Sequence, residues 1–226
     1  MSALAGAFLF GYNITMNISS LNRVIKILIF SDLILNSAFG LLAPVFAIFI
    51  INQIQGGDAK VAGIAVGTYW ILKSILQIPI GNYLDRNHGE KDDFYFIFVG
   101  TLLGSLTFLG FIFAREPWHL YALQALLACG MALAIPSWGG IFTRHMDKGR
   151  EGFTWSLESS SIGIGAGIAG IAGGMIAKYI GFTPLFIMMS VGGVLASLFL
   201  LLIKNQLVPR GKVEKSYPRK QHLFSV

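Results

Sequence analysis

Charge is scarce in this chain. Only 12% of its 226 residues are Asp, Glu, Lys or Arg while 54% are hydrophobic, too few charges to clothe a soluble globule of that length. Cysteine is almost missing as well. The single Cys129 lies inside an apolar run, which excludes an intramolecular disulfide and a thiolate metal cluster. The four histidines, His88, His119, His145 and His222, share no metal-ligand spacing. No phosphate-binding loop ending in Gly-Lys-Ser/Thr occurs, and Gly165-Ala-Gly167-Ile-Ala-Gly170 fits a dinucleotide fingerprint only formally, since no strand precedes it. Without a nucleophile-base, metal or phosphate constellation the chain does not read as an enzyme, and neither metal, cofactor nor nucleic acid is expected.

What is abundant is apolar length. Six stretches reach the roughly 20 residues needed to cross ~30 Å of hydrocarbon: Val24 to Ile51, Val61 to Leu84, Phe94 to Ala114, His119 to Phe142, Phe153 to Ala177 and Pro184 to Ile203. They lack the period-two alternation of barrel strands, so the expected fold class is an all-α membrane protein, a six transmembrane helix bundle. Lys and Arg divide unevenly between the two sides. Thirteen, from Arg23 and Lys26 through Arg86, Lys91, Arg144, Lys148 and Arg150 to the tail, share one side, against Lys60, Arg115 and Lys178 on the other. This places both termini in the cytoplasm. The expected divisions are an N-terminal leader over residues 1–22, the helical domain over 23–204 and a basic cytoplasmic tail over 205–226, held near anionic lipid.

Three ionisable residues fall inside the spans: Asp32, Lys73 and Glu158. Charges at membrane depth cost at least ~2.5 to 3.5 kcal/mol on insertion scales and usually face a bundle interior or cavity. At ~1.5 Å per residue they lie about 12, 16 and 8 Å in from the basic side. Asp32, Asn36 and Gly40 align on one face of the first helix, and Tyr69, Lys73, Gln77 and Gly81 on the second. Two readings fit these stripes. One is a hydrated path with Asp32 or Glu158 as a protonation site, since a carboxyl leaving water favours its neutral form; the other is a structural Asp32–Lys73 ion pair. Tyr69, Trp70 and Trp138 are candidates to line a cavity.

The second span ends in Gly81-Asn-Tyr-Leu-Asp85-Arg86-Asn-His-Gly89-Glu90-Lys91. Asp85 sits at a helix C-terminus, where the macrodipole disfavours an anion and suits Arg86 and Lys91, so it wants a partner elsewhere. This segment resembles the turn between helices two and three of the major facilitator superfamily, which reads Gly, three residues, Asp-Arg, one residue, Gly, then two basic residues. Gly81, Asp85, Arg86, Gly89 and Lys91 fit, with one extra residue before Gly89 and with Glu90 in place of a basic residue. Gln124, Gly130 and Pro136 keep the spacing of an Arg, Gly and Pro in that family's helix four, and Ala169-Gly170-Ile-Ala-Gly173-Gly174 is similar to the glycine-rich end of its helix five, without the Pro. The resemblance implies one six-helix half of a secondary transporter, with Asp85 as the latch to a helix of the other half; neutral Gln124 stands where the family's proton antiporters carry the Arg.

Gly163, Gly165, Gly167, Gly170, Gly173 and Gly174 let other helices approach the fifth helix closely on several faces. Since the family usually joins two six-helix halves, the expected partners are the lipid bilayer, a small-molecule substrate and a second half, either a parallel homodimer partner or a different one. The expected function is transport of a small solute by alternating access at the plasma membrane, with a non-transporting scaffold as the alternative.

Overall fold

The computed structural model describes residues 20–87 and 89–207. The leader before residue 20, the tail after 207 and His88 lie outside them. Among the described residues seven α-helices follow in order: α1 (Arg23–Gly40), α2 (Phe46–Gln53), α3 (Ala59–Asn87), α4 (Glu90–Phe111), α5 (Pro117–His145), α6 (Glu151–Tyr179) and α7 (Phe182–Leu200). Among the described residues there is no strand. They make six spans, because α1 and α2 are two parts of the first. The protein is an integral, multi-pass membrane protein.

The continuous first helix expected from Val24 to Ile51 is interrupted. α1 stops at Gly40, a short 3-10 turn covers Ala43–Val45, and the helix resumes at Phe46. Pro44 sits in that turn; in an unbroken helix its ring would collide with the carbonyl of Gly40. The charged segment after Gly81 is also more helical than expected. α3 runs through Asp85 and Arg86 to Asn87, and α4 starts at Glu90, with Glu90, Asp92 and Asp93 in its first turn, where the helix dipole welcomes anions.

Chain order is not packing order. α1 packs on α6 and α7, α4 on α5 and α7, and α3 on α5, so the bundle runs α6, α1, α7, α4, α5, α3 with α3 and α6 at its two margins. Only 17% and 11% of the most apolar windows of α3 and α6 is buried, against 33% to 50% in the other spans. The core forms two apolar clusters. One gathers Phe49, Phe111, Leu120, Leu185, Phe186 and Met189; the other, toward the basic side, gathers Ile25, Leu28, Phe94, Ile97, Ile141, Phe142 and Leu200.

Glycines set how closely these helices meet. A Cβ on Gly173 would collide with the Leu41 carbonyl, one on Gly165 with Ser37, and one on Gly40 would lie 3.1 Å from the Ala166 Cα. α4 and α5 touch backbone to backbone in the same way, a Gly130 Cβ falling 2.8 Å from the Gly100 carbonyl oxygen. A Cβ on Gly170 has ordinary clearance, whereas Gly163, Gly167 and Gly174 would meet nothing within 4 Å; these three pack against no neighbour within the described residues. Gly173→Ala is accordingly expected to destabilise the bundle by about 1–3 kcal/mol through overpacking, and Gly167→Ala to leave it within ~0.5 kcal/mol. Thermal unfolding in detergent checks this, and equal effects of the two would show that α6 does not seat on α1 as described.

Candidate functional site

Asp32 lies two turns into α1, on the face that carries Asn36 one turn later. The Asn36 side-chain amide donates to the Asp32 main-chain carbonyl at 3.0 Å and also reaches its carboxyl group. Opposite stands Glu158 of α6, whose carboxyl meets that of Asp32 within side-chain hydrogen-bond range. Glu158 is only 7% exposed. Of the two readings, the Asp32–Lys73 ion pair is not seen among the described residues. Comparable depth did not make them neighbours, because α1 packs on α6 and α7 and its polar face meets Glu158.

Asp32, but not Glu158, borders a cavity of about 220 Å³, open on one side and lined by Ser31, Asn36, Thr101, Met131, Ala134, Trp138 and Leu200 among others. It falls where the two apolar clusters meet, Met131 and Ala134 belonging to one and Leu200 to the other. Ser31 is not free to serve a ligand as donor, since its hydroxyl donates to the Ala196 carbonyl at 2.8 Å. The Trp138 ring is stacked on Phe142, centroids 4.4 Å apart. Its Nε1 is buried and has no hydrogen-bond partner among the described residues.

A second cavity, about 380 Å³, lies in the other half of the bundle between Phe39, Phe46, Tyr69, Trp70, Phe111 and Gln124. It unites Tyr69 of α3 with Gln124 of α5. Lys73 sits beside it with its ammonium 3.8 Å from the Trp70 ring centroid and 5.4 Å from that of Tyr69, a cation–π arrangement at the margin of the bundle. Gln77 lines neither cavity.

Residues Gly81, Asp85 and Arg86 ride on the last two turns of α3, with the Asp85 side chain exposed; Gly89 precedes α4 and Lys91 lies in its first turn. A charged cluster that the sequence did not reveal sits next to them. The Arg144 guanidinium at the end of α5 binds Glu90 at 3.3 Å and also Asp93, and His145 Nε2 lies 3.1 Å from the Glu90 carboxylate. Both carboxylates are buried. The one signal in the sequence was Glu90 itself, an acid where the resembled turn carries a base.

Comparison with known proteins fits this geometry. The sequence model of the Major Facilitator Superfamily matches residues 28–225. An uncharacterised MFS-type transporter of Methanocaldococcus jannaschii is 25% identical over 176 residues, 78% of this chain and 44% of that protein. A multi-drug resistance efflux pump PmrA homolog of Lactococcus lactis subsp. lactis is 24% identical over 202 residues, 84% of this chain and 48% of the pump. The chain thus spans about half the length of the curated relatives it matches. In fold it is similar to the POT family transporter PepTSo, crystallised in meso, with a TM-score of 0.64 at 15% identity over 83% of this chain and 38% of that one.

Proposed function

The chain belongs to the Major Facilitator Superfamily, and from that premise we propose that it acts as one half of a secondary transporter that moves a small solute by alternating access. The observation that carries this reading is the Asp32–Glu158 pair, two carboxyls in contact at membrane depth beside a cavity. A scaffold has no use for such a pair, which costs insertion energy and adds no apolar packing. Two negative charges ~4 Å apart repel by about 4 kcal/mol at an effective dielectric of 20, so the pair is suited to exchange one charge for a proton or a cationic ligand. Solute-dependent proton or sodium flux in proteoliposomes tests the reading; a purified, folded protein that supports neither across solute classes would overturn it.

The second half, in this reading, covers α3 and α6, the two margins with the least buried surface. A second copy in parallel orientation, basic side toward the cytoplasm, supplies such a surface with two-fold symmetry. Asp85 of one copy then approaches the N-terminal turn of the other copy's α6 near Gly152, Phe153 and Thr154. Thr154 is fully buried and its hydroxyl donates to the Arg150 carbonyl, so the contact falls on the Gly152 and Phe153 side. An anion at a positive helix end is worth about 0.3–1 kcal/mol when exposed and up to ~2 when partly buried. Asp85→Asn is therefore expected to shift the balance away from the outward-facing state by up to ~30-fold without unfolding the protein. Cysteines at Asp85 and Phe153 in separately tagged, Cys129-free copies should cross-link between chains in the membrane. Absence of that product, together with co-purification of a different second half, would remove the homodimer.

A further inference from the structure

The larger cavity, about 380 Å³, holds a polar group with nothing to bind. Gln124 of α5 lines it and is only 7% exposed, yet its side-chain amide makes no hydrogen bond among the described residues. Unlike the sealed Trp138 Nε1, that amide keeps accessible surface, and the cavity is what it faces. A buried amide left unpaired is costly, so a ligand that pairs it gains by doing so. The other walls are aromatic: Phe39 and Phe46 of the first span, Phe111 of α4, and Tyr69 and Trp70 of α3. Such rings hold a planar apolar body by offset and edge contacts. The volume also exceeds the roughly 300 Å³ at which small-molecule pockets begin.

Charge is the third feature. Among the described residues no Asp or Glu lines the cavity. Lys73 does not line it either, but its ammonium lies against two rings of the wall, 3.8 Å from the Trp70 centroid and 5.4 Å from that of Tyr69. No carboxylate stands within ion-pair distance of it among the described residues. A cation without a counter-charge at membrane depth biases the adjoining space toward anions and against cations.

From these observations we infer that the cavity binds a small aromatic carboxylate, its ring between the aromatic walls and its carboxylate accepting a hydrogen bond from the Gln124 amide in the field of Lys73. The inference deepens the transport reading by naming a solute class, and it rests on that reading only for the site's purpose. Asp32 and Glu158 line no part of this cavity, so a coupling proton and the solute occupy separate places.

Equilibrium binding to the full chain in lipid nanodiscs tests this with three probes that share one body: 3-phenylpropionate, the neutral 3-phenylpropionamide and the cationic 3-phenylpropylamine. The carboxylate is expected to bind ~10-fold more tightly than the amide, as a charge-assisted hydrogen bond does over a neutral one, and the ammonium most weakly. That series needs no variant. Gln124→Leu keeps the bulk and loses the amide; it is expected to weaken the carboxylate by ~10-fold. Lys73→Gln is expected to bring the carboxylate to within ~3-fold of the amide. This ratio reports charge, because a merely structural role of Lys73 shifts both probes alike. Binding of none of the three, an ammonium as tight as the carboxylate, carboxylate binding untouched by Gln124→Leu, or an unaltered carboxylate-to-amide ratio in Lys73→Gln would each overturn the assignment. No gradient is applied, so a failure of ion-coupled transport leaves a positive result standing. Conversely, gradient-driven flux of another solute through a protein that binds no phenylpropionate overturns the inference and spares the transport reading.

Discussion

Proteoliposomes carrying Asp32→Asn are expected to lose the response of solute flux to an imposed pH gradient, while wild-type vesicles retain it. Asp32 and Glu158 meet across α1 and α6, and both helices reach the cavity, α1 through Asp32 and Asn36 and α6 through Ile162. Any change in the charge of the pair is therefore felt both by a ligand in the cavity and by the seating of α6 on α1. Coupling between two ligands through such a shared element is typically ~1–3 kcal/mol, or 5–150-fold in affinity, and removing one carboxyl removes the group through which it acts. Glu158→Gln should act in the same direction. Both substitutions are near-isosteric and relieve a like-charge contact, so the folded protein should purify normally. Persistence of the pH response in the double variant would assign proton coupling to other residues and leave the pair a structural role.

Arg144→Gln is expected to be the most destabilising single substitution on the basic side. It strips the guanidinium from Asp93, which is buried at the first turn of α4. Asp93 is buried but Arg144 is partly exposed, so leaving the carboxylate unpartnered costs about 1–3 kcal/mol, which at ~2–4 °C per kcal/mol for a domain of this size lowers the melting temperature by roughly 2–12 °C. Arg144→Gln combined with Asp93→Asn should recover part of the loss, since the second change removes the stranded charge. Lys178→Gln, at the opposite end of α6, serves as the control and should stay within ~0.5 kcal/mol. An unchanged melting temperature for Arg144→Gln in detergent and in nanodiscs would show that the cluster contributes no net stability.

The six spans were legible because crossing hydrocarbon imposes a length and an apolarity on each of them, and the superfamily because its spacings recur at Gly81, Asp85, Arg86, Gly89, Gly130 and Pro136. Depth was legible too, but the direction in which a residue faces was not. Asp32 and Lys73 sit at comparable depth, yet which helix lies beside α1 depends on packing among all six spans; Glu158, placed shallower by residue counting, became the partner. Pro44 marked the break in the first span and was visible in the sequence, but mean apolarity across Val24 to Ile51 concealed it. The Arg144 cluster joins residues 51 to 55 positions apart, a pairing that neither helix periodicity nor motif spacing can express. Trp138 was a cavity candidate by type; that its N–H lacks an acceptor emerged only in three dimensions.

The order α6, α1, α7 across the bundle governs how the protein is made. The first span leaves the ribosome long before either helix that flanks it, and the Ser31 hydroxyl waits for a carbonyl 165 residues further along the chain. At ~5–20 residues per second that interval is roughly 8 to 33 seconds. For the first roughly 6 to 25 seconds of it, while the 126 residues to Glu158 are made, Asp32 faces lipid, water or the insertion machinery without Glu158 to enclose it. Synthesis halted before α6 would leave an acidic residue stranded in the bilayer, a ready mark for membrane quality control. The helix bearing the carboxyl pair's first member is thus committed to the membrane early and finds its seat only when the last two spans arrive.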